Sequence, residues 1–499
     1  MKIKTTCIWL YILLVTLASC KKERPLSDSK SLLSFKIEKA YNHKLTEDII
    51  ADIVEQDIVI QIPEEVGPDQ LIATFTHNGK NVLVNEVIQQ SGVSENNFFN
   101  ELTYVVEAAN GSTTTYLVKA NITSAPQADV VPHIYITIAG NAEIVSKDKY
   151  LDATIKIDGQ GIFPDYEGTT RIKGRGNSTW YQPKKPYRIK LDDKASLLGL
   201  AEEKDWVLLA NYLDETLMLN AVAMKIGKQL DMPYTNSIIP VDLSINGTYR
   251  GSYMFTEQVE VSKTRINIED GGEHLELDVN YDEPPYQFKS DRLKLPVMIK
   301  YPELEDLEKK EAEATFEKMK SDFNAFEHTI FLSDFPSSNP SVIDITSVAD
   351  YLIVNLLTAN GEIGHPKSVK MYRPKNEPYY MGPIWDFDWA FSYDGQSTHF
   401  HSFNEKTISL SDQSFFGRLL ANEQTKALFK SRWAVYKRDR LPLLLSYIDS
   451  YADIIEESWE KDRIRWGKSD RPDFRQLIDK LKNWIKGRAQ YMDRFAADL

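Results

Sequence analysis

Apolar and polar positions divide the chain into two regions with different periods. Between residues 31 and 123 the apolar residues come in short runs with a period near two, as in Asp57 to Ile62, Leu71 to Phe75 and Tyr104 to Glu107. These runs are rich in β-branched and aromatic residues and are separated by turn signals, among them Asn78-Gly79 and Asn110-Gly111, so they predict an all-β sandwich of about a hundred residues. From about Val130 the pattern changes. Strands are predicted at Ile134 to Ile138, Ala153 to Ile157, Pro186 to Leu191, Trp206 to Ala210, Pro240 to Ile245 and Gly251 to Thr256. A 3.6-residue period then marks helices over Thr216 to Leu230, Leu307 to Phe326, Ile345 to Ala359, Ser414 to Leu420, Leu428 to Ile455 and Phe474 to Phe495. A β-rich lobe followed by a helical lobe, an α+β domain over residues 130–499, is the fold expected of this part. Ser124-Ala125-Pro126-Gln127 marks a linker, placed at 124–129.

Composition narrows the reading. With 42% hydrophobic and 11% aromatic residues the chain can fill real cores, and a formal net charge of -14 argues against general affinity for nucleic acid. The first residues read as an export signal. Lys2 and Lys4 precede the apolar run Ile8 to Leu17, and Leu17-Ala18-Ser19-Cys20 resembles a bacterial lipobox. Cleavage after residue 19 would leave a lipidated Cys20, a tether over 20–30 and a chain anchored in a membrane without spanning it. Cys7 would depart with the leader and Cys20 would carry lipid, so neither a disulfide nor a cysteine metal site is expected. Lys21, Lys22 and Glu23 follow, with no Asp directly after Cys20, which by resemblance to Gram-negative lipoproteins favours the outer membrane.

One stretch departs from the acidic background. Arg171 to Lys190, RIKGRGNSTWYQPKKPYRIK, holds two glycines and seven Lys or Arg residues in twenty positions. Gly174 and Gly176 allow a tight turn that offers bare N–H groups to an anion, with Arg175 between them reaching the same place. Strand parity with Tyr187, Ile189 and Leu191 points Lys185 inward, which makes it a better phosphate candidate than Lys184. A basic β-hairpin with solvated charges explains the same pattern. A second constellation is Gly382-Pro383-Ile384-Trp385-Asp386-Phe387-Asp388-Trp389. If extended, it sets Asp386 and Asp388 on one face and the aromatic side chains on the other, a pair suited to Mg²⁺ or Mn²⁺ with sites left for phosphate oxygens. Two aspartates in a surface turn are the alternative. His399-Phe400-His401 with Asp394 could bring two imidazoles and a carboxylate to one metal, or be a polar loop.

Taken in order, RIKGRGNSTW from Arg171, KKPYRIKL from Lys184, Trp206 to Tyr212 with Asp214, the strand from Val241 through GSYMFTE to Glu257, and IWDFDWAF from Ile384 resemble the spore-coat protein H (CotH) family of atypical, kinase-like proteins. The resemblance implies a two-lobed kinase-like fold, ATP with a divalent cation, and phosphoryl transfer to protein hydroxyls in the envelope or secreted. It assigns Lys185 and Arg175 to the nucleotide phosphates, Asp388 with Asp386 to the metal, and Glu257 to the lobe junction near the nucleotide. Asn211 and Asp214 either act there or cap the helix that follows. The segments SFKIEKAYNHKL, IPEEVGPDQLIATF and GSTTTYLVKANIT resemble the immunoglobulin-like modules of surface lipoproteins, in a spacer or partner-binding role. Where the family carries Asn-x-Asp and then two asparagines, this chain reads Asn360-Gly361-Glu362 and then Lys367-Ser368, with His365 in the loop between. Glu362 can accept a hydroxyl proton, whereas an ammonium at Lys367 cannot ligate a cation and competes with one. The alternatives are therefore an active kinase, a pseudokinase or scaffold, and a polysaccharide-associated surface lipoprotein.

Overall fold

The computed structural model describes residues 25–63, 66–68, 70–98, 101–123, 129–268, 271–280, 286–364, 366–396, 398–468 and 473–499. The leader over 1–19, Cys20, nearly all of the linker over 124–129, and His365 lie outside them. The chain forms two compact units, Met1–Ala125 and Pro126–Leu499.

The first unit is all β. Its strands are β1 (Leu32–Ile37), β2 (Ile49–Ile50), β3 (Asp52–Val54), β4 (Asp57–Pro63), β5 (Leu71–His77), β6 (Asn81–Val84), β7 (Val87–Ile88), β8 (Glu95–Asn96), β9 (Leu102–Glu107) and β10 (Thr113–Thr123). They form a sheet of order β2-β1-β5-β8 and another of order β3-β4-β10-β9-β6-β7. Phe35 and Phe75 of the first sheet and Tyr104 of the second share one core, with Phe35 and Tyr104 rings edge to face at 5.2 Å. Of the two turn signals, Asn110-Gly111 joins the paired strands β9 and β10, while Asn78-Gly79 carries the chain from one sheet to the other.

The second unit opens with β11 (His133–Ile138), β12 (Leu151–Asp158), β13 (Tyr166–Gly174), β14 (Tyr187–Ala195), β15 (Glu203–Leu209), β16 (Ile239–Ile245) and β17 (Thr248–Glu257). These seven close into a barrel of order β11-β12-β13-β14-β15-β17-β16, sealed where β16 runs parallel to β11. Alternation explains the barrel: on β14, Tyr187, Ile189 and Leu191 are buried while Arg188 and Lys190 face outward. Trp206 and Phe255 stack at 5.1 Å in its interior.

The rest is a small sheet under helices. β18 (Glu273–Leu277), β19 (Gln287–Lys289), β20 (Pro296–Tyr301), β21 (Val369–Arg373) and β22 (Tyr380–Met381) form a sheet of order β19-β20-β18-β21-β22. Leu275, Leu277, Val297, Val369 and Met371 give one face to the main core, which also takes the helices α1 (Leu219–Gln229), α2 (Lys309–Ile330), α3 (Ile345–Leu357), α4 (Phe415–Ala421), α5 (Glu423–Val435), α6 (Leu441–Arg465) and α7 (Phe474–Asp498). The single helix expected over Leu428 to Ile455 is two. Pro442, in the first turn of α6, has no N–H for the ladder, and a π-helical turn at Tyr436–Arg440 joins α5 to α6. The chain therefore has β-sheets followed by a helical region, as expected, but its β-rich part contains a closed barrel that the strand pattern did not indicate.

The C-terminal end of α6 is fastened to the barrel. Lys184 is fully buried and donates to the Asp462 carboxylate and the Ser252 carbonyl, with its ammonium 4.8 Å from the Tyr253 ring centre. Trp466 Nε1 donates to the Arg250 carbonyl at 3.0 Å. Parity had aimed Lys185 inward. Strand geometry begins only at Tyr187, and the proline-flanked residues before it turn Lys184 in instead.

Candidate functional site

A polar cleft of about 450 Å³ lies in the second unit, and both constellations singled out in the sequence line it. The glycine stretch is the loop that joins β13 to β14, so it is a hairpin connection, but its charges are not simply solvated. Gly174 has no room for a side chain, because a Cβ there would fall inside the Trp180 indole, and Gly176 has φ +83°. Asn177 accepts from Lys147 Nζ at 3.2 Å, and the Arg175 amide donates to the Pro186 carbonyl at 3.2 Å. The loop so held brings Arg175 over the Trp385 ring, 5.5 Å from its centre. Burial lowers the Arg175 pKa, and Asp386 and Asp388 oppose that shift. Lys173 and Arg188, register partners on β13 and β14, reach the same cleft from the barrel's outer face.

The acidic segment is a turn rather than a strand. Asp386 takes φ +63°, and residues 388–390 form a hydrogen-bonded turn. The expected separation of faces therefore fails: Trp385 and Trp389 line the cleft together with Asp386 and Asp388, and only Phe387 turns into the core. Three residues fix this turn. Asn220, in the first turn of α1, donates to Asp388 Oδ1 at 2.9 Å and accepts from the Phe387 amide at 3.2 Å. His399 bonds the Asp388 carbonyl at 3.0 Å, and Asn360 Nδ2 donates to the Asp386 carbonyl at 3.3 Å. Asp214, for its part, accepts from the Thr216 and Leu219 amides at 2.7 and 2.8 Å, so it caps the entry to α1. Burial first, then the neighbouring Asp386, pushes the Asp388 carboxyl up to about 7.

Glu362 closes the arrangement. Lys367 Nζ donates to its Oε1 at 2.5 Å, while the buried Oε2 has no hydrogen-bond partner among the described residues. Burial, with Asp386 and Asp388 adding and Lys367 opposing, pushes Glu362 up to about 9. Burial lowers the Lys367 pKa, but Asp386, Glu362 and Asp278 raise it by more, so it stays protonated. Below them, β18, β20 and β21 contribute His274, Glu276, Met298, Lys300 and Lys370 to the floor. Lys370 Nζ meets Glu276 Oε1 at 2.6 Å, and burial holds His274 neutral by lowering it to about 3.

Of the residues expected from the sequence, Arg175, Glu362, Asp386 and Asp388 meet in this cleft. Lys185 and Glu257 are not among the residues that line it. Lys185 Nζ donates to the Trp180 carbonyl at 2.6 Å, and Glu257 accepts from the Ser237 amide at 2.8 Å. The histidine pair does not form a cluster either. Asp394 accepts from the Gln396 and Thr398 amides at 2.8 and 3.0 Å in its own loop, and His401 is exposed. Among the described residues no group of three or more His, Cys, Asp or Glu could hold a metal ion. A cation shared with a ligand is a different case. Mg²⁺ is usually held by one or two carboxylates together with phosphate oxygens, and Asp386 and Asp388, side by side on an open polar cleft, fit that donor set. Sequence reasoning missed Asn220 and His274: one is a polar residue in an apolar helix, the other lies on a strand too short to show a pattern.

The chain matches no curated protein. Among solved structures it is similar to one reported as a candidate glycoside hydrolase from Bacteroides thetaiotaomicron, at 12% identity over 56% of this chain and 76% of the other, with a TM-score of 0.16. That likeness is too slight to bear on fold or function. The model of the family described as CotH kinase protein matches residues 172–492, which takes in the glycine loop, the Asn360–Glu362 segment and the acidic turn. A match over well more than half the sequence, enclosing Arg175, Glu362, Asp386 and Asp388, makes this chain a member of the CotH kinase family.

Proposed function

We propose that the chain is an atypical protein kinase that transfers the terminal phosphoryl group of ATP to a protein hydroxyl, using Mg²⁺ or Mn²⁺. The observation that carries this reading is the meeting of Arg175, on its glycine loop, with Asp386 and Asp388 in one cleft. Phosphoryl transfer requires little besides positioning and charge neutralisation, and those are the services such a cleft offers. Arg175, with Lys173 and Arg188 beside it, faces the phosphates. Asp386 and Asp388 hold the divalent cation, which neutralises phosphate charge when bound. Glu362 offers its free Oε2 to the acceptor hydroxyl and takes its proton when ionised. The acceptor is an envelope or secreted protein, reached from a membrane through lipid on Cys20, and nucleic acid is not a partner. No helix among the described residues is long and apolar enough to cross a membrane.

One observation favours a second reading, that of a nucleotide-binding pseudokinase. Lys367 occupies Glu362 Oε1, so the proposed base is already paired. Both readings are tested with the soluble fragment after Cys20, labelled ATP and Mg²⁺ or Mn²⁺, by following phosphate incorporation and nucleotide-dependent thermal shift. Incorporation lost in Asp388→Ala and Arg175→Ala supports the kinase. A shift without incorporation supports the pseudokinase, and no shift with either metal refutes both.

A further inference from the structure

Kinases commonly place two divalent cations on the nucleotide phosphates, the second held partly by an asparagine of the catalytic loop. In this cleft the residue that bonds Glu362, the proposed base, is a lysine. The Lys367 ammonium touches Glu362 Oε1, lies 4.7 Å from the centre of the Trp389 ring, and feels the charges of Asp386 and Asp278 as well as Glu362. Two aspartate charges, a Glu362 carboxyl oxygen and an aromatic face favour a cation here, and the chain supplies it with its own side chain. The residue is also held in place: its amide donates to the Glu362 carbonyl at 3.0 Å, and the amide of the next residue, Ser368, donates to Asp278 Oδ2 at 3.1 Å. Lys367 is only 11% exposed at its side chain, so the ammonium does not simply swing out to solvent.

We infer that Lys367 replaces a second divalent cation, so that the cleft binds its nucleotide with a single metal ion on Asp386 and Asp388. The inference rests on the nucleotide reading above. A dication brought beside a fixed ammonium is repelled, and Glu362, bonded to that ammonium through one oxygen, has only the other left to offer. The ammonium neutralises phosphate charge without needing to be recruited from solution, which suits a protein working where free cation and nucleotide are not controlled as they are in a cytosol.

The test is Mn²⁺ stoichiometry, read by electron paramagnetic resonance and by calorimetry, on the fragment after Cys20 with a non-hydrolysable ATP analogue. The expected result is one Mn²⁺ per wild-type chain and two per Lys367→Asn chain, because the substitution empties the acidic position and supplies a neutral oxygen. Two ions on the wild-type chain, or one on a folded Lys367→Asn variant, would overturn the inference. If circular dichroism finds that variant unfolded, the wild-type count decides alone. No Mn²⁺ bound with nucleotide on the wild-type chain would overturn the nucleotide reading along with it, whereas a count of two removes only the single-metal inference.

Discussion

Replacing Lys184 by alanine separates two lysines that look alike in the sequence. The Lys184 side chain is fully buried and holds the buried Asp462 carboxylate, the Ser252 carbonyl and the Tyr253 ring, so its loss leaves Asp462 without its counter-ion. Breaking a buried pair by removing one partner costs about 3–5 kcal/mol, because the remaining charge has lost its water and its partner together. With an unfolding entropy of roughly 2 cal/mol/K per residue, a unit as long as this one should melt about 4–6 °C lower. Lys185→Ala removes one half-buried hydrogen bond to the Trp180 carbonyl, worth about 1 kcal/mol, and should leave both melting and nucleotide binding near wild type. Scanning calorimetry of the fragment after Cys20, with and without ATP and Mg²⁺, reads both effects. Lys184→Met combined with Asp462→Leu should recover most of the loss, since a packed apolar pair replaces a buried ionic one at little cost. The reasoning fails if Lys184→Ala melts with wild type, or if Lys185→Ala is the variant that loses nucleotide.

Three further outcomes follow from the cleft. Gly174→Ala must displace Trp180, at a cost of about 1–3 kcal/mol from overpacking, and should weaken nucleotide binding because the same loop holds Arg175; titration calorimetry measures the affinity. Asn220→Ala removes the donor on Asp388 Oδ1 and should weaken divalent-cation binding about 10–100-fold, as loss of a supporting hydrogen bond to a ligand usually does, with little change in circular dichroism. If Glu362 is the base, kcat/KM should rise with pH up to about 9, because its carboxyl is raised and stays protonated until the pH passes that value. Glu362→Gln should then be flat and low across the same range, and a wild-type profile that levels off near pH 5 would rule Glu362 out.

The regular elements were legible where one face alone is buried. The strands β4, β5 and β9 and the helices α2 and α7 show their periods plainly, and the expected bounds of these, and of α1 and α3, which are buried on nearly all sides, fall within a few residues of the observed ones. The sheet of β18 to β22 was not legible. Both faces of β18 and β21 are buried, one in the core and one against the cleft, so Leu275 and Leu277 alternate with His274 and Glu276 without a solvent-facing signal. Their pairing also joins segments nearly a hundred residues apart, which no local pattern encodes. Barrel closure was hidden for the same reason, since the parallel pairing of β11 with β16 spans the whole lobe.

For the site, the sequence carried chemistry further than it carried direction. Residue types alone marked the glycine loop and the Asp386, Asp388 pair as candidates, each beside a plain structural alternative, a basic hairpin and a surface turn. Which way each side chain points depended on a regular backbone that neither segment has. Lys184 turns in where strand parity would have chosen Lys185, and Asp386 sits at φ +63°, so that Trp385 joins the carboxylates in the cleft rather than opposing them. The aromatic residue thereby becomes part of the ligand surface: Trp385 carries Arg175 on its face, and Trp389 carries Lys367. Arg175 is thus held over an indole, which orders it without neutralising it and leaves its charge for phosphate, whereas Lys367 is held both by an indole and by Glu362. Replacing the partly buried Trp385 by leucine would remove the indole face beneath Arg175 together with some packing, so nucleotide affinity should fall by more than any small drop in melting temperature accounts for.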